Sequence, residues 1–84
     1  IIDSVGWAYY AKKNYVEAEK FLRRAVQLLP ADPIINDHYG DVLWMLNKNI
    51  QARYIWRNIL TLETSEELRD KLSKKLIFGI ENKL

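Results

Sequence analysis

The sequence contains no cysteine, which excludes disulfide bonds and metal sites built from thiolates. No run of apolar residues approaches the 18 that a membrane-spanning helix requires, so no such helix is predicted. A basic segment followed by a short apolar run is also lacking, and no signal peptide is visible. Because the chain begins at Ile1 rather than Met, we expect it to be a fragment, and its compartment stays unknown.

A strong excess of one charge is lacking as well. The 13 Lys and Arg residues stand against 11 Asp and Glu residues, which leaves a net charge of +2. That value is too small to argue for a nucleic-acid partner. The pairs Arg23–Arg24 and Lys74–Lys75 are interleaved with acids, as is usual on solvent-facing helices. We therefore expect neither a nucleic-acid partner nor a membrane segment.

Residues with the chemistry of catalysis are few and scattered. His38 is the only histidine. It has too few neighbouring ligands to predict a metal site, and we expect it to be a surface histidine. Asp3, Asp37 and Asp41 could suggest a carboxylate pair, but no nucleophile lies near them. No glycine-rich phosphate loop is present. The sequence thus predicts no catalytic residue, no metal and no cofactor, with the three acids solvated or facing a partner.

What the sequence does have is helical periodicity throughout its 84 residues, with 49% hydrophobic and 29% charged residues. Apolar residues recur every three or four positions, and no strand-like alternation occurs. In the last segment they fall at Leu68, Leu72, Leu76 and Ile80, where Gly79 is expected to weaken the final turn. The five predicted helices run from Ile2 to Lys12, Tyr15 to Leu29, Pro33 to Leu46, Ile50 to Leu62 and from just after Thr64 to Asn82.

Capping residues mark the starts of three of these helices. Asn14 is followed three positions later by Glu17, which is the capping-box spacing. Asp32 precedes a proline at the first helical position, and Thr64 precedes Glu67 at the box position. Asn47 can adopt the left-handed conformation that ends the third helix.

The chain repeats itself at a spacing of 34 residues. The pairs Gly6/Gly40, Ala18/Ala52 and Arg23/Arg57 are identical at this offset, and Tyr10/Trp44 are both aromatic. A 34-residue helix–turn–helix period is typical of the tetratricopeptide repeat. The small residues have a mechanical role, because glycine and alanine allow two helices to approach closely.

With this period, and with the segments DSVGWAYY and DPIINDHYGDVLW, the chain resembles the last repeats of a bacterial tetratricopeptide protein. The resemblance implies an all-α, right-handed α-solenoid of antiparallel helix–turn–helix repeats. It divides the chain into a first repeat at residues 1–30, a second at 31–64 and a capping helix at 65–84. Lys13 and Asn47 depart from the family, which prefers glycine in these turns, and Thr64 replaces the closing proline.

The resemblance also implies where a partner binds. In this family the first helices of successive repeats line a concave groove, and exposed aromatic side chains there are typical anchors. The alternative is that one or both tryptophans of this set pack between the hairpins. The residues carried over to the groove are Asp3, Trp7, Tyr10, Ile34, Asp37, Asp41, Trp44, Met45, Lys71 and Lys75.

Together these features predict a non-enzymatic module that binds a protein or peptide in the groove, with an aromatic floor and an acidic rim. The alternative is a structural role, as the C-terminal end of a longer solenoid that supports assembly or self-association, so a homo-oligomer is a second kind of partner. The bacterial character leaves a cytoplasmic or periplasmic location equally open. The partner's identity is not encoded in any motif.

Overall fold

The computed structural model describes residues 2–80, and these residues contain five helices and no strand. The first four helices form two antiparallel hairpins, and the fifth packs on the second hairpin. No helix among residues 2–80 has both the length and the apolar character needed to cross a bilayer. The helices are α1 (Ile2–Ala11), α2 (Tyr15–Leu28), α3 (Pro33–Met45), α4 (Asn49–Ile59) and α5 (Glu66–Phe78).

Each helix packs against its neighbours in the chain. α1 lies on α2 and α3 lies on α4, while α2 contacts α3 and α4 contacts α5. The predicted all-α helical repeat is confirmed by this order of packing. The first helices of the hairpins, α1 and α3, also touch each other directly.

Two helices, α2 and α3, begin at the side-chain caps that the sequence predicts. The Asn14 side chain accepts a hydrogen bond from the Glu17 amide at 3.4 Å. The Asp32 carboxylate accepts from the amides of Ile34 and Ile35 at 3.0 and 3.1 Å, with a proline next to it at the first helical position. These bonds satisfy amides that have no partner within the helix.

The two hairpin turns use left-handed residues that are not glycine. Lys13 has φ of 63° and Asn47 has φ of 65°. The left-handed end predicted at Asn47 is therefore confirmed. A side chain with a Cβ atom is strained in this conformation, and asparagine tolerates it better than lysine.

The start of α5 corrects the predicted cap. Ser65, not Thr64, is the N-cap, and its hydroxyl accepts from the Leu68 amide at 3.1 Å. Both residues can cap a helix, and their sequence order alone does not distinguish them.

The end of α5 is also corrected. The helix ends at Phe78, and Gly79 follows with φ of 71°, so the predicted continuation past Gly79 is wrong. Glycine does not weaken a last turn here, because it forms the terminating residue. Asn82, the predicted end, lies outside the described residues.

The fourth helix ends earlier than predicted, at Ile59 rather than Leu62. The amides of Leu60, Thr61 and Leu62 bond to carbonyls three residues back instead of four. The Thr61 hydroxyl adds a bond to the Asn58 carbonyl at 2.7 Å. These tighter bonds close the helix within one turn.

The core consists of two neighbouring groups of side chains. One lies between the two hairpins, and the other lies under α5. Leu76 and Ile80 are partly buried against the second group, as the spacing of the α5 stripe predicts. The buried members are Ala18, Leu22 and Val42 in the first group and Leu43, Ala52, Trp56, Ile59, Leu68 and Leu72 in the second.

The two helical glycines lie at the contact between the two helices of each hairpin. A Cβ atom on Gly6 would lie 2.8 Å from Cγ of Leu22, and one on Gly40 would overlap the indole of Trp56. The predicted role of these glycines in close helix approach is confirmed.

Candidate functional site

The first helices of the two hairpins, α1 and α3, lie side by side with α5, and direct side-chain bonds connect the three helices. Asp3 on α1 bonds to His38 on α3, and Lys75 on α5 bonds to Asp37 and Asp41 on α3. We call the surface formed by these three helices the first-helix face. All ten residues that the family resemblance implies for the groove belong to these three helices.

Three rings form a continuous stack on this face. The Trp7 ring lies 4.3 Å from the Tyr10 ring with an angle of 6° between the planes. On its other side, Trp7 lies 3.9 Å from the His38 ring at 11°. We call Tyr10, Trp7 and His38 the aromatic stack. All three side chains are partly exposed, so the stack is fixed in place but remains within reach of another molecule.

A polar contact holds one end of the stack, and an aromatic contact holds the other. The Asp3 carboxylate lies 3.1 Å from Nδ1 of His38 and orients the imidazole. Tyr10 also contacts Tyr15 edge-to-face, with 5.4 Å between ring centroids. Burial raises the pKa of the Tyr10 hydroxyl, and the charge of Asp41 adds to the shift. The hydroxyl therefore stays neutral in the physiological range.

His38 is a residue that the sequence reasoning missed, since we expected it to be an isolated surface histidine. The repeat register gives only a partial signal for it. Asp41 is the 34-residue equivalent of Trp7, and His38 lies one helical turn before Asp41. At this position on α3, the His38 ring stacks on the Trp7 ring of α1.

Asp37 and Asp41 form a buried cluster with Lys75. Only 4% of Asp37 and 7% of Asp41 is exposed. The Lys75 ammonium donates to both carboxylates at 2.8 Å and lies 5.7 Å from the Trp56 ring centroid. We call these three residues the carboxylate–lysine cluster. It carries two negative charges and one positive charge in a site that is largely shielded from water.

The pKa values within the cluster shift for identifiable reasons. Burial raises the pKa of Asp41 to about 6, because Lys75 compensates only in part and Asp37 adds repulsion. Burial alone lowers the pKa of Lys75, but the charges of Asp41 and Asp37 outweigh it, and the net shift is upward. Lys75 therefore stays protonated at neutral pH. Asp41 is partly protonated near pH 6.

This burial contradicts part of the predicted acidic rim. Asp37 and Asp41 are not solvated acids on the groove edge, because Lys75 from α5 reaches between them and satisfies them internally. Asp3 remains partly exposed beside His38. Of the predicted rim, Asp3 alone retains a carboxylate that is not buried.

Trp44 packs within the protein, which was one of the two alternatives for the aromatic residues. Its ring lies 5.6 Å from the Trp56 ring, and the Arg53 guanidinium lies 5.3 Å from its centroid. Gly79 lies so close to the indole that a Cβ atom there would overlap it. Trp7 and Trp44 thus differ in role, although both belong to first helices.

The other residues expected in the groove differ in their exposure. Ile34 is half exposed, Met45 is partly buried and Lys71 is exposed. Phe78, at the C-terminal end of α5, is 67% exposed. Within residues 2–80, no three His, Cys, Asp or Glu side chains come together in a way that could hold a metal ion.

Comparison with known proteins shows similarity to a family model and to a relative. Residues 3–32 match the family model described as Tetratricopeptide repeat. Protein bimA of Emericella nidulans is 27% identical over 63 residues, which cover 75% of this chain and 8% of bimA. The chain thus spans a small fraction of that relative's length. No solved structure matches the chain, and the bacterial character inferred from the sequence stays a prediction.

Proposed function

Because the chain carries a tetratricopeptide repeat at residues 3–32 and folds as an all-α helical repeat, we propose that it is a non-enzymatic protein-interaction module. The proposed binding surface is the first-helix face, and its ligand is a protein or peptide segment. The observation that carries this proposal is the aromatic stack, which is partly exposed and already fixed in position.

The stack has the properties of a binding anchor. Aromatic side chains bury large areas at interfaces, and a stack that is already ordered loses little entropy on binding. Trp7 is held from both sides by rings, while Asp3 fixes the orientation of His38. A partner's apolar side chain can therefore bind without the face having to rearrange.

The charges on this face suggest the composition of the partner. Asp3 lies beside the stack, and Ile34, which is 50% exposed, begins the neighbouring helix. An extended or helical segment with apolar anchors and one Lys or Arg near Asp3 fits these features. The carboxylate would guide orientation more than it would add affinity.

The carboxylate–lysine cluster limits where on this face a partner binds. Lys75 already occupies the place between Asp37 and Asp41 that a partner's cation would need. The α1–α3 part of the face is thus the proposed contact surface. Trp44, Met45 and Lys71 flank it on the α5 side. Since two hairpins offer a short surface, we expect micromolar affinity, about −8 kcal/mol.

The three tryptophans provide a direct test. Peptides selected from a random library on the immobilised protein would be titrated into ¹⁵N-labelled protein, and the three indole N–H signals would be followed by NMR. We expect the Trp7 signal to shift and saturate, while those of Trp44 and Trp56 stay nearly unchanged. Selected peptides that shift Trp44 and leave Trp7 unaffected would contradict the proposal.

A second candidate function is self-association through the end of α5. Ile77 and Phe78 are 69% and 67% exposed. Phe78 is the 34-residue equivalent of Tyr10 and Trp44, both of which are covered by aromatic neighbours. Phe78 is exposed at the equivalent position, which favours contact with another copy of the chain or with another part of an assembly.

Sedimentation equilibrium distinguishes this second candidate. A concentration-dependent dimer that is lost in Phe78→Ser but retained in Val16→Ser, an exposed residue of α2, would support it. A parent protein that stays monomeric up to millimolar concentration would rule it out.

A further inference from the structure

A separate cleft lies between the second helices α2 and α4, with α3 as its floor. Its volume is about 520 Å³, within the range typical of ligand sites. None of its lining residues belongs to the aromatic stack or to the carboxylate–lysine cluster. We call it the second-helix cleft.

One side of the cleft is apolar and unusually exposed. Ile50 is 85% exposed and Tyr54 is 67% exposed, and both lie on α4 at the cleft wall. Leu43 and Ile55 continue this apolar lining toward the core. Exposed apolar side chains beside an open cleft gain free energy when another apolar group covers them.

The other side of the cleft is polar and has one unmatched cation. Lys48 donates to Glu19 at 3.0 Å, and the two charges neutralise each other. Arg23 lines the same cleft and takes part in no ion pair among residues 2–80. The cleft therefore has a net positive charge, located on a guanidinium that can bind a carboxylate through two parallel hydrogen bonds.

The hydroxyl of Tyr39 lies near these charges. Burial raises the pKa of Tyr39, and Glu19 adds to the shift, whereas Arg23 and Lys48 act in the opposite direction. Tyr39 lines the same cleft as these three charged groups, and its phenol stays protonated and can donate a hydrogen bond. An anion in the cleft would thus have the Arg23 guanidinium and the Tyr39 hydroxyl as donors.

We propose that the second-helix cleft binds a protein segment in which an acidic side chain is next to large apolar side chains. The carboxylate bonds to Arg23, and the apolar side chains cover Ile50 and Tyr54. A free phosphate would satisfy the cation but would leave the apolar wall exposed. The site is independent of the first-helix face, so one chain can hold two partners or two parts of one partner.

The test uses two pentapeptides and the full 84-residue chain labelled with ¹⁵N. The probe is acetyl-Ala-Leu-Glu-Phe-Ala-amide, and its control has Gln in place of Glu. We expect saturable shifts of the α2 and α4 amides around the cleft, with the Gln peptide binding at least ten-fold more weakly. The Trp7 indole signal should stay unchanged, which separates this result from binding at the first-helix face.

Two arginine variants complete the design, because the repeat supplies a matched pair. Arg57 is the 34-residue equivalent of Arg23, is also exposed and does not line the cleft. Arg23→Gln should abolish the preference for the Glu peptide, and Arg57→Gln should retain it.

Several results would overturn the proposal. These are equal binding of the two peptides, an equal loss in both arginine variants, or no cleft shifts at 5 mM peptide. Inorganic phosphate that produces the same shifts with the same affinity would reassign the cleft as a simple anion site. Shifts confined to the first-helix face would show that the acidic segment binds there instead.

Discussion

Gly79 lies against the indole of Trp44, and the pair joins the end of α5 to the second hairpin. The backbone at Gly79 has φ of 71° and ψ of −157°, a region that essentially only glycine occupies. Two independent requirements, one of conformation and one of space, thus fall on one residue. The contact fixes where α5 ends and holds Trp44 against Trp56.

Gly79→Ala should therefore destabilise the protein by about 1–3 kcal/mol, through backbone strain and overlap with the Trp44 ring. Urea unfolding followed by tryptophan fluorescence measures this loss. Ser73→Ala, on the exposed side of α5, is the control and should stay close to the parent. A Gly79→Ala protein as stable as this control would mean that α5 does not dock on Trp44.

Gly40→Ala tests the closeness of α3 and α4. Alanine is favoured over glycine within helices by about 1 kcal/mol, so a helix without contacts would gain stability. Here the added methyl group would overlap the fully buried Trp56 indole, and we expect a net loss of about 1–3 kcal/mol. Thermal unfolding by circular dichroism would show it as a lower melting temperature. An unchanged or higher value would contradict the packing.

The raised pKa of Asp41 makes stability depend on pH. Because the pKa of Asp41 in the folded state, about 6, exceeds its ordinary value of 3.8, its contribution is fully present below pH 4 and is lost as pH rises through 6. The loss amounts to at most about 3 kcal/mol. Asp41→Asn removes this titration. The stability of the variant relative to the parent should therefore increase between pH 4 and pH 6.

Two measurements check this dependence. Urea unfolding of parent and variant at several pH values gives the stability difference, and the ¹³Cγ shift of Asp41 gives its titration directly. Lys75 contributes in the alkaline range. Because its pKa is raised in the folded state, its contribution to stability is present below about pH 10.5 and is lost as the pH rises further. A stability difference that is flat across the acid range, with an Asp41 midpoint near 4, would show that the carboxylate is solvated.

Removing residues 65–84 tests whether α5 is a necessary cap. The deletion would expose the second core group around Trp56 and leave Asp37 and Asp41 without Lys75. We expect red-shifted tryptophan fluorescence, loss of cooperative unfolding and aggregation. A truncated protein that is monomeric and unfolds cooperatively would show that α5 is not needed for the two hairpins.

The fold could be predicted from the sequence because its signals are local or periodic. The 34-residue spacing placed Gly40 and Ala52 at helix contacts, and Asp32 with its following proline marked a helix start. These features depend on neighbouring residues or on the repeat, and both are visible in a single sequence. The predicted cap at Thr64 was wrong because two adjacent residues had the same capping chemistry.

The site was less predictable because it depends on contacts between distant residues. Asp37 and Asp41 resemble solvated acids in the sequence, and only the position of α5 brings Lys75 between them. His38 had no sequence partner that distinguished it from a surface histidine. Its stacking follows from the lateral distance between α1 and α3, which the repeat period alone does not specify.

The structure distinguishes two tryptophans that the family resemblance places in the same groove, and this difference bears on the proposed function. Both are partly exposed, but Trp44 is packed between Trp56, Arg53 and Gly79, whereas Trp7 belongs to the aromatic stack between α1 and α3. We therefore expect Trp44→Ala to lower stability and Trp7→Ala to weaken binding.

The most direct measurement is peptide binding by calorimetry at a temperature where parent, Trp7→Ala and Trp44→Ala are all folded, with a melting curve for each. The peptide is one selected on the parent protein. Both variants should melt at a lower temperature than the parent, but Trp7→Ala should also lose at least ten-fold in affinity, whereas Trp44→Ala should retain most of it. Undiminished binding by folded Trp7→Ala would contradict the assignment of the first-helix face as the binding surface.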